Sequence, residues 1–254
     1  MTDYASNPIL KKQAESLSYP ALFVSISGSH LYGFPSADSD FDLRGVHIVS
    51  LQDAIGLPRI REEVRKTEIH DGLEIDLVTD ELKSFFLKLL KRNGLVLEQV
   101  VSPLIVHALP EHEELQQLAP GCVTRYHAYH YLGFAQSQWK LFERDEPRRI
   151  KPLLYVYRVL LTGIHMMQTG EIEPDLVKLN AVFNLSYIPD LIERKTSGTE
   201  KGTLNSADFE FHEQEYQRLI AVLEAAHDAS MLPENPSSRD ALNDLLIRLR
   251  LQQG

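Results

Sequence analysis

The sequence predicts an α+β fold in which a strand-rich N-terminal part is followed by an all-helical C-terminal part. Short apolar runs, separated by turns that contain Gly or Asp, occupy the first hundred residues, as is typical of strands. Beyond Pro103 and Pro110, apolar residues recur at the three- and four-residue spacing of amphipathic helices. We therefore expect one domain at 1–110 and a helical domain at 111–254.

Strands and turns follow one another closely in the first domain. The expected elements are a helix at 8–16, a strand at 21–27, a helical turn at 29–33, a strand at 41–49 and a hairpin with strands at 63–70 and 73–78. The hairpin turns at Asp71-Gly72, a dipeptide typical of tight turns. Asp80 then reads as the N-cap of a helix at 81–91, because an apolar stripe follows it and Asp favours that position.

Helices account for nearly all of the second domain. The segments with helical spacing are 115–118, 124–142, 150–168, 175–183, 188–195, 207–227 and 238–251. Pro-Gly and Pro-rich stretches separate several of them, as expected of loops between helices. No segment there has the alternating pattern of a strand, so an all-helical architecture is predicted.

The most informative stretch joins the first two predicted strands. Gly28-Ser29 forms a turn, and after ten intervening residues Asp40 and Asp42 open the next apolar run. Residues two apart on a strand point to the same side, so both carboxylates are expected side by side. Like charges that close need a cation, and Mg²⁺ binds through one or two carboxylates and substrate phosphates. The Gly-Ser turn adds backbone N–H donors, so the pattern predicts a metal-dependent phosphate site.

The string from Gly28 to Val46 resembles the nucleotidyltransferase fold of the DNA polymerase beta superfamily. It is similar to a bacterial and phage branch of predicted nucleotidyltransferases, some of them linked to RNA repair. The motif core covers about residues 21–80. The resemblance implies a mixed sheet with flanking helices, a helical domain beside it, and a third carboxylate on a neighbouring strand, for which Asp76 is the matching residue.

The resemblance also implies a reaction. An NMP group would pass from a nucleoside triphosphate such as ATP to an acceptor hydroxyl, with release of pyrophosphate. Two Mg²⁺ or Mn²⁺ ions about 3.5–4 Å apart are expected to activate the hydroxyl and clamp the phosphates. Asp40 and Asp42 would bind both ions, and Asp76 would complete the ion that activates the nucleophile and accept its proton.

Residues that bind the nucleotide are expected in both domains. They are Gly28, Ser29, Ser39, Lys151, Tyr155 and Arg158. The first two would hold the β and γ phosphates through backbone N–H groups and the hydroxyl, and the third lies directly before Asp40. The last three lie at i, i+4 and i+7 of one helix, so two cations and a phenol share a face suited to a triphosphate. An ordinary exposed basic face is the alternative for that helix.

Composition and net charge limit the binding partners and the cellular compartment that are expected of such an enzyme. The 254 residues carry a net charge of −10, which argues against broad non-specific affinity for nucleic acid. Arg144, Arg148, Arg149 and Lys151 nevertheless form a local basic cluster that would suffice for a short RNA end. The single cysteine, Cys122, fits a reducing cytoplasm, and neither a secretory signal nor a membrane-spanning run is expected.

Three functions stay open at this point. The first is an active nucleotidyltransferase whose acceptor is an RNA or tRNA end, a protein side chain or a small molecule. The second is a catalytically silent, nucleotide-sensing or partner-binding (antitoxin-like) module of the same fold. The third is a helical HEPN-type ribonuclease, suggested by the spacing of Arg158 and His165, which leaves the first domain unexplained.

Overall fold

The computed structural model of the protein describes residues 6–57, 60–70, 72–197, 204 and 206–252. These residues form two compact units. The first unit contains the described residues of Met1–Gly28, Asp40–Cys122 and Asn235–Gly254, and the second contains those of Ser29–Ser39 and Val123–Glu234. The domain boundary at residue 110 stays a prediction.

Strands and helices are interspersed as far as Cys122. In chain order the elements are α1 (Pro8–Glu15), β1 (Ala21–Ile26), α2 (Gly28–Leu31), β2 (Phe41–His47), α3 (Leu51–Ile55), β3 (Glu63–His70), β4 (Leu73–Glu81), α4 (Leu82–Leu90), α5 (Gly94–Val100), β5 (Ile105–Ala108), α6 (Glu111–Leu118) and a 3₁₀ turn (Ala119–Cys122). The remaining elements are α7 (His127–Arg144), α8 (Ile150–Thr169), α9 (Leu176–Phe183), α10 (Tyr187–Thr196), α11 (Ser206–Ala229) and α12 (Arg239–Gln252).

The strands form a five-stranded sheet in the order β3-β4-β2-β1-β5. The β2–β4 pair is parallel and the other pairs are antiparallel, so the sheet is mixed. All six residues of β1 are buried, as expected for a central strand covered on both faces. The α+β class is confirmed, because a mixed sheet with flanking helices precedes a helical C-terminal part.

The hairpin and the helix after it differ from the prediction in one detail. β3 and β4 pair as a hairpin through Gly72, and Asp71 lies outside the described residues. Asp80 is not the N-cap of α4, because β4 continues through Glu81 and Asp80 stays paired with Glu63. Glu81 caps the helix instead, and its carboxylate accepts hydrogen bonds from the backbone N–H groups of Lys83 and Ser84.

Several short elements were not predicted, and α5 and β5 are among them. The segment after α4 forms α5, whose N-cap Asn93 accepts a hydrogen bond from the N–H of Leu95. β5 follows and pairs with β1 at one edge of the sheet. β5 has only four residues, which is too short for an alternating pattern to stand out in the sequence.

A buried ion pair connects the last helix, α12, to the rest of the first unit. Arg250 of α12 donates from Nη1 to the carbonyl oxygen of Val49 at 2.6 Å. Its Nη2 pairs with the carboxylate of Glu81, the residue that caps α4. Because both side chains are buried, this ion pair ties the end of the chain to the sheet and to α4.

The second unit is built around α8, which is buried along most of its length. Trp139 of α7 stacks on Tyr216 of α11 with the ring centroids 4.4 Å apart. The hydroxyl of Tyr157 in α8 lies 2.7 Å from Nδ1 of His212 in α11, so a buried hydrogen bond joins these two helices. Among the described residues, no helix is both long enough and apolar enough to cross a membrane.

Buried histidines predict how stability changes with pH. Desolvation lowers the pKa of His47, His112, His130 and His212 below the ordinary value. The unfolded chain therefore binds protons at a higher pH than the folded chain does. The stability these neutral histidines provide is complete above about pH 6.5, their unfolded pKa, and is lost as the pH falls through the folded values.

We expect the free energy of unfolding in urea to be lower at pH 5.5 than at pH 7.5. His47→Gln should reduce this difference, because His47 is one of the groups that must take up a proton when the chain unfolds. An unfolding free energy that is the same at both pH values would contradict the assignment of these histidines as buried and neutral.

Candidate active site

The predicted carboxylates of β2 and β4 lie next to each other. β2 and β4 run parallel, and Asp42 is the register partner of Asp76. Neighbouring strands are about 4.8 Å apart, so two carboxylates at matched positions stand side by side. The side chains of Asp42 and Asp76 are 25% and 23% exposed, which leaves both within reach of a ligand.

An arginine lies between these two carboxylates. Nη2 of Arg44 donates to Oδ1 of Asp42 at 2.6 Å and to Oδ2 of Asp76 at 3.1 Å. Nη1 of the same side chain donates to the backbone carbonyl oxygens of Asp76 at 2.7 Å and Leu43 at 2.9 Å. Thr67 of β3 donates from its hydroxyl to Oδ1 of Asp76 at 3.0 Å. The pair is therefore fixed in orientation, and one cation offsets part of its negative charge.

Gly28 approaches Asp42 more closely than any other residue type could. Its φ of +63° lies in the left-handed region that favours glycine. A Cβ atom added there would lie 2.1 Å from Oδ2 of Asp42. The backbone N–H of Ser27 also donates to the carbonyl oxygen of Asp42 at 2.8 Å. The missing side chain thus allows Oδ2 of Asp42 to lie against the backbone of Gly28, directly at the predicted phosphate turn.

Gly28→Ala is expected to destabilise the first unit and displace the Asp42 carboxylate. Left-handed backbone costs an L-residue about 1–2 kcal/mol, and the clash with Asp42 adds to it. Gly72→Ala is the matched control, since Gly72 has a φ of +82° but open space where its Cβ would be. Urea unfolding should show a larger loss for Gly28→Ala, and equal losses would mean that the Asp42 contact contributes nothing.

The residues present suit a divalent metal ion in their chemistry. Paired carboxylate oxygens are hard donors of the kind that Mg²⁺ prefers, and the pair already requires a cation, here supplied by Arg44. Asp40 lies half-buried one residue before β2. Within the described ranges, no group of three or more His, Cys, Asp or Glu side chains is arranged to hold a metal. The ligand set of Asp40, Asp42 and Asp76 stays a prediction.

The predicted nucleotide-binding serines lie in the second unit. Ser29 is buried, and its carbonyl oxygen accepts a hydrogen bond from the N–H of Phe34 at 3.1 Å. The hydroxyl of Ser39 accepts from the N–H of Ser36 at 2.9 Å. Lys195 of α10 donates to the hydroxyls of Ser36 and Ser39 and to the carbonyl oxygen of Phe34 at 2.9–3.2 Å. The loop that leads to Asp40 is therefore held by a lysine.

The predicted clamp residues lie along α8 at very different depths. Lys151 is exposed, whereas Tyr155 is half-buried with its ring edge-on to the rings of Tyr32 and Phe34. Arg158 is fully buried, and its guanidinium carbon lies 3.9 Å from the centroid of the Tyr32 ring. This contact is a cation–π interaction, and it ties α8 to the segment that follows Ser29. The role of the three residues in nucleotide binding stays a prediction.

Cys122 is buried, and burial raises the pKa of its thiol to about 11. A thiol with that pKa is almost fully protonated near neutral pH, and the thiolate is the nucleophilic form. Cys122 is therefore a packing residue rather than a nucleophile.

Comparison with known proteins identifies the family. A sequence model described as the RNA repair pathway DNA polymerase beta family matches residues 5–248. The chain belongs to this family. The resemblance that the sequence motif indicated is thereby confirmed, and it extends over nearly the whole chain rather than over the motif alone.

Two relatives, each named as an uncharacterized protein, are similar in sequence. MJ0002 of Methanocaldococcus jannaschii is 32% identical over 156 residues, which cover 61% of this chain and 63% of that protein. YcgL of Bacillus subtilis is 27% identical over 248 residues, which cover 94% of this chain and 92% of that protein. The match thus spans a little less than two thirds of the first relative and nearly all of the second.

A solved structure also aligns with this chain. The nucleotidyltransferase-like protein from Exiguobacterium sibiricum 255-15 aligns over 99% of this chain and 80% of its own chain. The sequence identity is 14% and the TM-score is 0.34. Membership in the RNA repair pathway DNA polymerase beta family therefore rests on the sequence match.

Three residues that contact predicted site residues within their own unit were not predicted to have a role. Arg44 follows Asp42 by two residues, so strand periodicity placed it on the same face. Thr67 is the register partner of Asp76 across the hairpin, a relation that the turn position fixes. Lys195 had no local signal, because it lies more than 150 residues from the serines that it contacts.

Proposed function

We propose that this protein is a metal-dependent nucleotidyltransferase that moves an NMP group from a nucleoside triphosphate to an acceptor hydroxyl and releases pyrophosphate. The observation that carries the proposal is the pairing of Asp42 with Asp76 on adjacent parallel strands, beside the left-handed Gly28. Two matched carboxylates next to a turn with close backbone approach are what a metal–phosphate site needs. Membership in a polymerase beta family supports the same class of reaction.

Different residues of the chain would bind the metal ion and the phosphates. Asp42 and Asp76, with Asp40 at the entry to β2, would hold Mg²⁺ or Mn²⁺. When bound, the ion lowers the pKa of the acceptor hydroxyl and neutralises charge on the phosphates. The N–H groups and hydroxyl at Gly28-Ser29 would hold the terminal phosphates, so that the leaving pyrophosphate is bound before it departs.

The transfer step is an in-line displacement. The acceptor oxygen forms a bond to the α-phosphorus while the bond from that phosphorus to the bridging oxygen of the β-phosphate breaks. The electron pair of the broken bond leaves with pyrophosphate, and the acceptor proton passes to Asp76. The Thr67 hydroxyl holds one oxygen of Asp76 at 3.0 Å and so orients the carboxylate for this transfer.

We also propose that the acceptor is the end of an RNA, including tRNA. Arg144, Arg149 and Lys151 are exposed at the end of α7 and the start of α8. Arg148 lies between them with its guanidinium carbon 4.2 Å from the centroid of the Phe209 ring. Cations beside an aromatic ring suit both the phosphates and the bases of a single strand. A cytoplasmic location fits the single reduced cysteine and this kind of substrate.

A second candidate follows from one specific contact. Because Arg44 already offsets part of the charge of Asp42 and Asp76, the fold is compatible with a catalytically silent module that senses nucleotides or binds a partner. A nucleotide-sensing module would bind a nucleotide without turnover. The two candidates therefore differ in a single measurable property, the transfer of label from substrate to acceptor.

A turnover assay tests the proposal. Purified protein is incubated with each α-³²P-labelled nucleoside triphosphate in Mg²⁺ or Mn²⁺, with a pool of small RNAs and the protein itself as acceptors. The Asp40→Ala/Asp42→Ala double variant is the control. Label on an RNA with the unmutated protein alone is the expected result, and it identifies base and acceptor together.

The other outcomes separate the alternatives. Label on the protein itself would support the nucleotidyltransferase activity and would show that the acceptor is a protein side chain rather than RNA. Metal-dependent nucleotide binding without any transfer would favour the silent module. Neither transfer nor nucleotide binding would contradict both the enzyme and the nucleotide-sensing module, because each of them needs an occupied nucleotide site.

A further inference from the structure

Arg44 has a contact pattern unlike that of a surface ion pair. Its guanidinium makes four hydrogen bonds of 2.6–3.1 Å, two to carboxylates and two to backbone carbonyls, and the side chain is only 24% exposed. An arginine keeps its charge at every physiological pH, and its planar fork can satisfy several acceptors at once. The side chain is therefore a permanent, geometrically fixed cation between Asp42 and Asp76.

The two ends of this guanidinium face different kinds of partner. Nη2 takes one oxygen from each carboxylate, the groups that a metal ion would need. Nη1 is bound to the backbone carbonyls of Leu43 and Asp76, which are not part of the carboxylate pair. The Nη1 contacts can persist while Nη2 gives up a carboxylate oxygen. The guanidinium would then remain beside the pair instead of leaving it.

We propose that Arg44 is a resident cation that competes with the divalent metal for Asp42 and Asp76. Without metal it keeps two like charges aligned on adjacent strands, which would otherwise repel each other. When a metal ion binds, Nη2 of Arg44 would give up a carboxylate oxygen while the guanidinium stays close by. The metal ion must then overcome electrostatic repulsion from the guanidinium. Arg44 thereby sets the metal concentration at which the site fills. This inference rests on the proposed function and assigns Arg44 as a positioning residue.

Metal affinity of the whole protein tests this inference without any turnover. Mn²⁺ binding is measured by the electron paramagnetic resonance signal of the free ion. Arg44→Gln removes the charge but keeps hydrogen-bonding groups, and we expect Mn²⁺ to bind about tenfold more tightly or better. Arg44→Lys keeps the charge and should stay within about threefold of the unmutated protein. Arg65→Gln on β3 removes an exposed arginine 3.9 Å from Glu63 and should change nothing.

A second measurement uses the unmutated protein, so it does not depend on how Arg44→Gln folds. The side-chain NMR signals of the Arg44 guanidinium are followed while Mg²⁺ is added. The proposal predicts that these signals shift and exchange faster as the site fills. Signals that stay unchanged at saturating Mg²⁺ would show that metal and guanidinium do not share the carboxylates.

The possible results separate this inference from the function on which it rests. Tighter Mn²⁺ binding in Arg44→Gln, without a comparable change in Arg44→Lys or Arg65→Gln, supports the inference. Equal or weaker Mn²⁺ binding in Arg44→Gln overturns it and leaves the metal-dependent function standing. If none of the four proteins binds Mn²⁺, the metal site itself is contradicted, and the proposed function fails together with the inference.

Discussion

Asp42→Asn should lower the rate of nucleotidyl transfer by on the order of a thousandfold or more while the protein stays folded. The amide has nearly the shape of the carboxylate and can still accept the hydrogen bond from Nη2 of Arg44. It lacks the negative charge, and metal assistance is worth several kcal/mol of transition-state stabilisation, with about 1.4 kcal/mol for each tenfold in rate. The measurement is the initial rate of label transfer to the acceptor that the turnover assay identifies.

A matched control distinguishes a loss of activity at the site from a general effect of removing a carboxylate from the sheet. Glu74→Gln removes a carboxylate from an exposed position of β4, two residues before Asp76, and is expected to leave the rate within about twofold. Thermal unfolding of both variants should lie close to that of the unmutated protein. A transfer rate in Asp42→Asn equal to that in Glu74→Gln would remove Asp42 from the catalytic machinery.

Arg250→Ala should lower the free energy of unfolding by about 3–5 kcal/mol. The side chains of Arg250 and Glu81 are 9% and 2% exposed, so the substitution leaves the Glu81 carboxylate buried without its cation. The carbonyl of Val49 also loses its donor. Because Glu81 caps α4 and ends β4, the damage should spread to the sheet that carries the candidate site.

Arg248→Ala is the matched control for this second prediction. Arg248 lies two residues earlier on the same helix and pairs with Glu114, but both side chains are substantially exposed. An exposed pair contributes about 0–1 kcal/mol, so this variant should unfold almost as the unmutated protein does. Urea unfolding at pH 7.5 compares the two variants. Equal losses of unfolding free energy would show that the buried Arg250–Glu81 pair stabilises the protein no more than the exposed Arg248–Glu114 pair does.

The sequence predicted those parts of the site that depend on local spacing. The apolar run after Asp40 predicted the strand that carries Asp42, and the hairpin pattern predicted the strand that carries Asp76. That these two strands are neighbours was implied by the resemblance to the polymerase beta superfamily. The prediction of Asp80 as the N-cap was wrong, because Asp80 stays paired with β3 and Glu81 caps the helix instead.

Contacts between distant parts of the chain could not be predicted in this way. Arg250 reaches Glu81 across more than 160 residues, and Lys195 reaches Ser36 across a similar separation. A periodic pattern reports which face of an element is apolar, but it carries no information about which polar side chains meet. The cation between Asp42 and Asp76 likewise depends on side-chain reach, which the alternation of the strand does not specify.

The central claim is that Asp42 and Asp76 hold a divalent metal against the phosphates of a nucleotide. Crystals grown with Mn²⁺ and a nucleoside triphosphate analogue that cannot be cleaved would locate the ion by its anomalous scattering. The account predicts an anomalous peak about 2.1–2.3 Å from carboxylate oxygens of both residues, with a phosphate oxygen of the analogue bound to the same ion. A bound analogue with no peak at these carboxylates would contradict it.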